Sequence, residues 1–319
     1  MKRTKLYAFM LSVVTGLERE GRYSTAHVYS CALKAVISYG GDSLDIAELT
    51  PEWLKRYEAY LVERLLLWNT ISTYMRMLRA VYNRAVDMGL APYIPRQFKN
   101  VFTSRHANHQ RALQKEEIRL VLSDDAEAEG EEPSDDASAK PRTSRDIAWA
   151  RACLELMLRF HGISFVDLAY LRKVDLKDGH LTIRRHKTGT QLFIAVDARA
   201  MKLLKRYASK DPASPYLLDI LDGSLSGKAA YKDYQKALRM LNFRLHQLSK
   251  RCKLGKKVSS YTARHTWATI AKSRGIPVKL ISEALGHASI STTEGYLKQF
   301  EADEIEHANK IIINYIFRK

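Results

Sequence analysis

The sequence predicts a mainly α protein with one small antiparallel β-sheet: a helical N-terminal domain followed by a larger α+β domain. Three observations carry that expectation. Apolar residues recur at helical spacing through nearly all of residues 5–100. Between 92 and 110 the periodicity gives way to prolines, asparagines and basic residues, as an interdomain linker would. Farther on, 181–185 and 192–196 alternate in β fashion around Lys187-Thr188-Gly189, with helical patterns on both sides. A chain of 319 residues favours two domains and can bury an ample core. The boundaries expected are 1–100 for the helical domain, 101–112 for a basic linker and 113–319 for the second domain.

In the first domain, Tyr23-Ser24-Thr25 offers a helix cap ahead of Val28, Leu33, Val36 and Ile37, a run that stops at Gly40-Gly41. Thr50-Pro51-Glu52 is a second start, with a Thr cap, proline in the first helical position and an acid in the first turn. Its apolar face is Trp53, Leu54, Tyr57, Tyr60 and Leu61. Asn69-Thr70 is expected to cap a third helix carrying Ile71, Tyr74, Met75, Leu78, Val81 and Tyr82, closed by Gly89. Arg76, Arg79 and Arg84 point partly away from that stripe. A solvated basic face is the ordinary reading, and a polyanion lying along it is the sharper one.

In the second domain, a helix opens at Gln114 and ends near Leu122. Residues 123–140 are acidic, rich in Ala and Ser and nearly free of large apolar groups, so they read as a disordered loop. Residues 146–160 form an apolar helix, 165–172 a further helical turn, and 181–196 the hairpin. Two more helices are expected at 199–208 and 228–253, the second heavily basic. The tail 302–319 puts Ile305, Ala308, Ile311, Ile312, Tyr315 and Ile316 on one helical face.

The formal charge is +17, and eight acids without a single base lie in 124–136. The rest of the chain therefore carries about +25, eight more than the whole. Such an excess suits a polyanionic partner, since each neutralised phosphate releases counterions. Cys31, Cys153 and Cys252 are far apart and lack metal-ligand spacing, which suggests buried thiols in a reducing compartment. The N-terminus starts like a secretory signal, but its apolar run is short and no small-residue cleavage site follows. Nothing approaches the ~18 apolar residues that span a bilayer. The chain is read as cytoplasmic, with no membrane partner, metal or cofactor.

The chemistry concentrates in 259–299. Arg264 brings a planar guanidinium able to grip two phosphate oxygens. His287, after Leu285-Gly286, can donate to a third oxygen or move a proton near neutral pH. Tyr296 offers a phenolic oxygen for a covalent intermediate. Tyr261-x-x-Arg264-His265, then Leu285-Gly286-His287, then Thr292-Thr293-x-x-Tyr296 resembles the signature of the tyrosine recombinases, the phage-type integrases. Upstream, Trp68-Asn69-Thr70-Ile71-Ser72 through Ala85 is similar to that family's core-binding domain, a helical bundle forming half of a clamp on DNA. Because the sequence begins at once with this bundle, the extra arm-binding domain of some relatives is not expected.

The resemblance implies site-specific strand exchange in double-stranded DNA. Tyr296 attacks the scissile phosphate, and a 3′-phosphotyrosyl link forms and is resolved by the partner strand, without metal or nucleotide. It implies that Lys187 is the general acid from a hairpin turn, with Arg184, Arg185 and His186 lining the same DNA face. Arg76 and Arg79 are expected to contact DNA from the third helix. Tyr261 stands where many relatives have His, and its hydroxyl still donates. The family's first arginine is expected just before Gly162, where this chain has His161. Three readings stay open: His161 substitutes as a cation, Arg159 or Arg172 reaches in, or cleavage is weak or absent. The resemblance further implies a homotetramer on two DNA sites, with the tail docking on a neighbouring protomer. The alternatives are a DNA-binding accessory protein and a type IB topoisomerase.

Overall fold

The computed structural model describes residues 4–104, 112–123 and 146–294. Tyr296, the acidic loop, the linker residues 105–111 and the tail therefore lie outside the described residues. The chain divides into two compact units, Met1–Asn108 with Ser226–Tyr231, and His109–Leu225 with Lys232–Lys319.

The first unit is built on α1 (Leu6–Arg19), α2 (Tyr23–Gly40), α3 (Pro51–Glu63) and α4 (Trp68–Asp87). Its core joins Leu6, Met10, Val36, Leu54, Tyr57, Ile71, Met75, Leu78 and Tyr82. At the start of α3, Thr50 Oγ1 accepts from the Trp53 N–H at 3.2 Å, with proline next in line, as expected. Two other caps differ from expectation. Ser24 and Thr25 lie inside α2, whose N-cap is Arg22. Asn69 and Thr70 lie inside α4, which begins at Trp68 because the Leu67 carbonyl already accepts from Ile71 N–H.

Residues 92–104 are not an exposed linker. Phe98 and Val101 are buried, and the Tyr82 hydroxyl donates to Pro92 O at 2.6 Å. Buried Glu58 accepts from Phe102 N–H at 2.6 Å, and Ser72 Oγ donates to Ser104 O at 2.6 Å. Two apolar anchors and satisfied backbone groups outweigh the prolines and cations that suggested a free segment.

The second unit contains α5 (Lys115–Leu122), α6 (Ile147–Arg159), α7 (Phe165–Ala169), β1 (Leu176–Lys177), β2 (His180–Arg184), β3 (Gln191–Ala195), α8 (Ala198–Arg206), α9 (Gly227–Arg251) from Lys232 onward, α10 (Thr262–Ser273), α11 (Val278–Ala284) and α12 (Ile290–Glu294). The sheet is antiparallel in the order β1-β2-β3, with Leu181 opposite Ile194 and Ile183 opposite Leu192. Strand β1 was not expected. It turns into β2 through Asp178-Gly179, both at positive φ (48° and 74°), the pair a two-residue hairpin favours. Leu181, Ile183, Leu192 and Ile194 bury one face of the sheet in the core that α6 shares.

Candidate active site

Two departures from ordinary backbone build the floor of the site. After α6 the chain turns through His161 (φ 58°) and Gly162 (φ 67°) into α7. A Cβ at Gly162 would lie 3.1 Å from Trp267 Cβ and 3.2 Å from the Arg264 Cα. Glycine therefore lets α10 close directly onto this turn. At the end of α11, Gly286 (φ 62°) occupies a similar place, and a Cβ there would lie 3.0 Å from Arg185 Cγ.

Arg264 stands in the first turn of α10 and is buried. Its Nη1 donates to Gly162 O at 3.0 Å and its Nη2 to Leu285 O at 2.7 Å. Arg185 comes from the opposite side. The alternation of β2 continues one residue past the strand, so Leu181, Ile183 and Arg185 face inward while Thr182 and Arg184 face out. Arg185 Nη1 donates to the same Leu285 carbonyl. That carbonyl ends α11, where the helix lacks donors of its own and its dipole is negative. One helix end thus draws two guanidiniums together.

Asp167 in α7 holds the arrangement. Its carboxylate pairs with Arg185 Nε at 2.8 Å, accepts from His186 N–H at 2.8 Å, and accepts from Ser164 Oγ at 2.5 Å. Lys187 follows at the exposed tip, and the tip is tied down where Thr188 Oγ1 donates to Gly286 O at 3.2 Å. Arg185, Lys187, Tyr261, Arg264 and His287 all line one cleft of about 330 Å3, together with Ser164 and Thr188. Tyr261 is half exposed at the cap of α10. His287 is half-buried, and its pKa is lowered to about 4, first by burial and then by Arg264, Arg185 and Lys187. At neutral pH the imidazole is therefore uncharged.

His161 does not join this group. Its ring packs on Trp267, 5.8 Å between centroids, and burial alone pushes its pKa down. His161 is not among the cleft's lining residues; Ser164, three residues on, lines it instead. Arg159 is held by Glu155 (2.8 Å) and Asp197 (2.6 Å), and Arg172 is likewise not among the lining residues. The guanidinium that reaches in is Arg185, one of the residues expected beside Lys187 on the DNA face of the hairpin. Arg184 is exposed as expected. In the first unit, Arg76 bonds along its own helix to Ser72 O and Thr73 Oγ1, while Arg79 borders a groove of about 390 Å3 with Arg96 and Lys99. Among the described residues no cluster of His, Cys, Asp and Glu could hold a metal, and no helix is long and apolar enough to cross a membrane.

Residues 5–101 match the phage integrase SAM-like domain and residues 135–302 match the phage integrase family. Tyrosine recombinase XerA of Pyrococcus furiosus is 30% identical over 160 residues, a match spanning 48% of this chain and 53% of that protein. The match to tyrosine recombinase XerA of Thermococcus kodakarensis is longer, covering 93% of this chain and 91% of the relative at 23% identity. Among solved structures, the lambda integrase tetramer bound to a Holliday junction superposes with a TM-score of 0.65 at 15% identity, over 95% of this chain and 81% of that one. The Tn1549 transposon integrase with circular intermediate DNA gives 0.64 at 14% identity, over 96% and 99%. Those structures share the fold of this chain. The chain belongs to the phage integrase family.

Proposed function

We propose that this protein is a site-specific tyrosine recombinase that cuts and rejoins double-stranded DNA through a 3′-phosphotyrosyl intermediate at Tyr296. The observation that carries the proposal is the convergence of two buried guanidiniums, Arg185 and Arg264, with Lys187, Tyr261 and His287 on one cleft. Each guanidinium is fixed by protein acceptors before any ligand arrives, so little reorganisation is needed at the moment of reaction. The non-bridging oxygens of a phosphodiester would be gripped by the two forks, with His287 N–H and the Tyr261 hydroxyl as further donors. As the Tyr296 phenolic oxygen bonds to phosphorus the P–O5′ bond breaks; the phenol proton leaves to solvent water, and Lys187 supplies one to the departing 5′ oxygen. Reversal by a different 5′-hydroxyl joins the partner strand. Two transesterifications conserve bond energy, so the scheme calls on no nucleotide.

The first unit, with Arg79 and the basic face of α4, is proposed to form the other half of the DNA grip, as the core-binding domain. The lambda integrase structures are of a dimer on a core site and a tetramer on a Holliday junction. By analogy this chain is proposed to act as a homotetramer on two duplexes. The presence of Arg185 in the cleft favours an active enzyme over a binding-only accessory. The test is a pool of randomised duplexes, each nicked beside the candidate cleavage position. An SDS-resistant protein–DNA adduct that vanishes in Tyr296→Phe supports the proposal; an adduct persisting in that variant, or none in the wild type, overturns it. Supercoil relaxation without site preference would instead mark a topoisomerase.

A further inference from the structure

We propose that Thr293 is a positioning residue that fixes which nitrogen of His287 carries the proton, so that Nε2–H is the group offered to an anion in the cleft. Thr293 sits in α12 and is fully buried. Its Oγ1 lies 2.7 Å from His287 Nδ1. A neutral imidazole has one donor nitrogen and one acceptor, and the partner of one decides the role of the other. His287 is neutral here because burial and the three cations facing it oppose protonation: Arg264 from α10, Arg185 from the end of β2, and Lys187 from the hairpin tip.

The direction of the bond follows from the hydroxyl. Among the described residues, the imidazole is the one hydrogen-bond partner of Thr293 Oγ1. Were Nδ1–H to donate to the hydroxyl oxygen, the hydroxyl hydrogen would be left buried with no acceptor among those residues. With the hydroxyl donating, the fully buried Oγ1–H is satisfied by Nδ1, and the half-buried ring, which lines the cleft, keeps its hydrogen on Nε2. Nε2–H in a cleft that already holds Arg185, Arg264 and Lys187 is an anion donor, not a base. The assignment of His287 as a phosphate donor rests on the recombinase reading, but the tautomer does not.

Nitrogen-15 NMR of the full-length protein, labelled at histidine and assigned with His287→Asn, reads the tautomer directly. At pH 7.5 the wild type is expected to show a protonated Nε2 and an unprotonated Nδ1 displaced by an accepted hydrogen bond. Thr293→Val keeps the shape and removes the hydroxyl; its Nδ1 signal is expected to return to the unbonded position. Thr293→Ser, which restores the donor, is expected to keep the wild-type signal. Nδ1 found protonated in the wild type, or an Nδ1 signal unmoved in Thr293→Val, overturns the proposal. The second readout is adduct formation on the nicked duplex. It is expected to slow at least about tenfold in Thr293→Val, to recover in Thr293→Ser, and to fall no further when Thr293→Val is added to His287→Asn. A wild-type adduct rate in Thr293→Val overturns the positioning role. If no adduct forms in any variant, the recombinase reading fails while the spectrum still decides the tautomer.

Discussion

A guanidinium as closely covered as that of Arg185 is held by its partners: Asp167 at 2.8 Å on one side and the end of α11 on the other. Removing it leaves a cleft with one fork where a phosphate offers two free oxygens. Arg185→Ala is expected to lower the adduct rate about 10²–10³-fold while the DNA dissociation constant changes far less, as separate gel-shift and trapping assays would show. His161→Asn is the contrasting case. Asparagine tolerates the positive φ, and the ring faces Trp267, so the adduct rate is expected to stay within about threefold of wild type. His287 adds a pH dependence whose sign follows from its displaced pKa. The folded value of about 4 is below the ordinary 6.5, so the unfolded chain binds the proton first as pH falls. The contribution is fully present above about pH 6.5 and is lost as pH drops through 4. In urea unfolding, the wild type is expected to lose more stability than His287→Asn between pH 7.5 and 4.5.

At the scale of elements, the site is a meeting of three short turns: the α6–α7 turn, the β2–β3 tip and the end of α11. Gly162 is where two of them touch. Gly162→Ala places a methyl against the Arg264 backbone at positive φ, neither of which can give way easily. A loss of about 1–3 kcal/mol in chemical denaturation is expected, with the adduct rate falling because Arg264 is displaced. Asp167 ties the hairpin to α7. Asp167→Asn leaves the Arg185 charge buried beside an amide, and about 3–5 kcal/mol of stability is expected to go with it. Much of this was legible beforehand: the Thr50 cap, the hairpin and the Arg264-to-His287 spacing all follow local rules. The β1 turn at Asp178-Gly179 was legible too, since that dipeptide signals a hairpin, but a two-residue strand gives no alternation to read. Arg185 had a signal as well. Continuing the pattern Leu181, Ile183 by two puts position 185 inside, yet a charged residue there reads as surface until an acid and a helix end are seen to receive it.

For the whole molecule the governing quantity is charge. A net +17, concentrated outside the acidic run, makes binding to any DNA strongly salt-dependent. Affinity for a random duplex is expected to fall roughly 10³-fold or more between 50 and 200 mM salt, measured by fluorescence anisotropy. A nearly flat dependence would count against a grip on DNA by two basic units.

The sequence alone determined the family, the helical character, the hairpin and the identities of Arg264, His287, Lys187 and Tyr261 as candidates, because caps, periodicity and motif spacing are local properties of the chain. Tertiary structure decided which second guanidinium enters the cleft, that His161 stays out, that residues 92–104 pack on the first unit, and that Thr293 backs His287. Those outcomes depend on burial and on partners up to a hundred residues away, such as Leu285 for Arg185, and a buried charge is stable only where such partners converge.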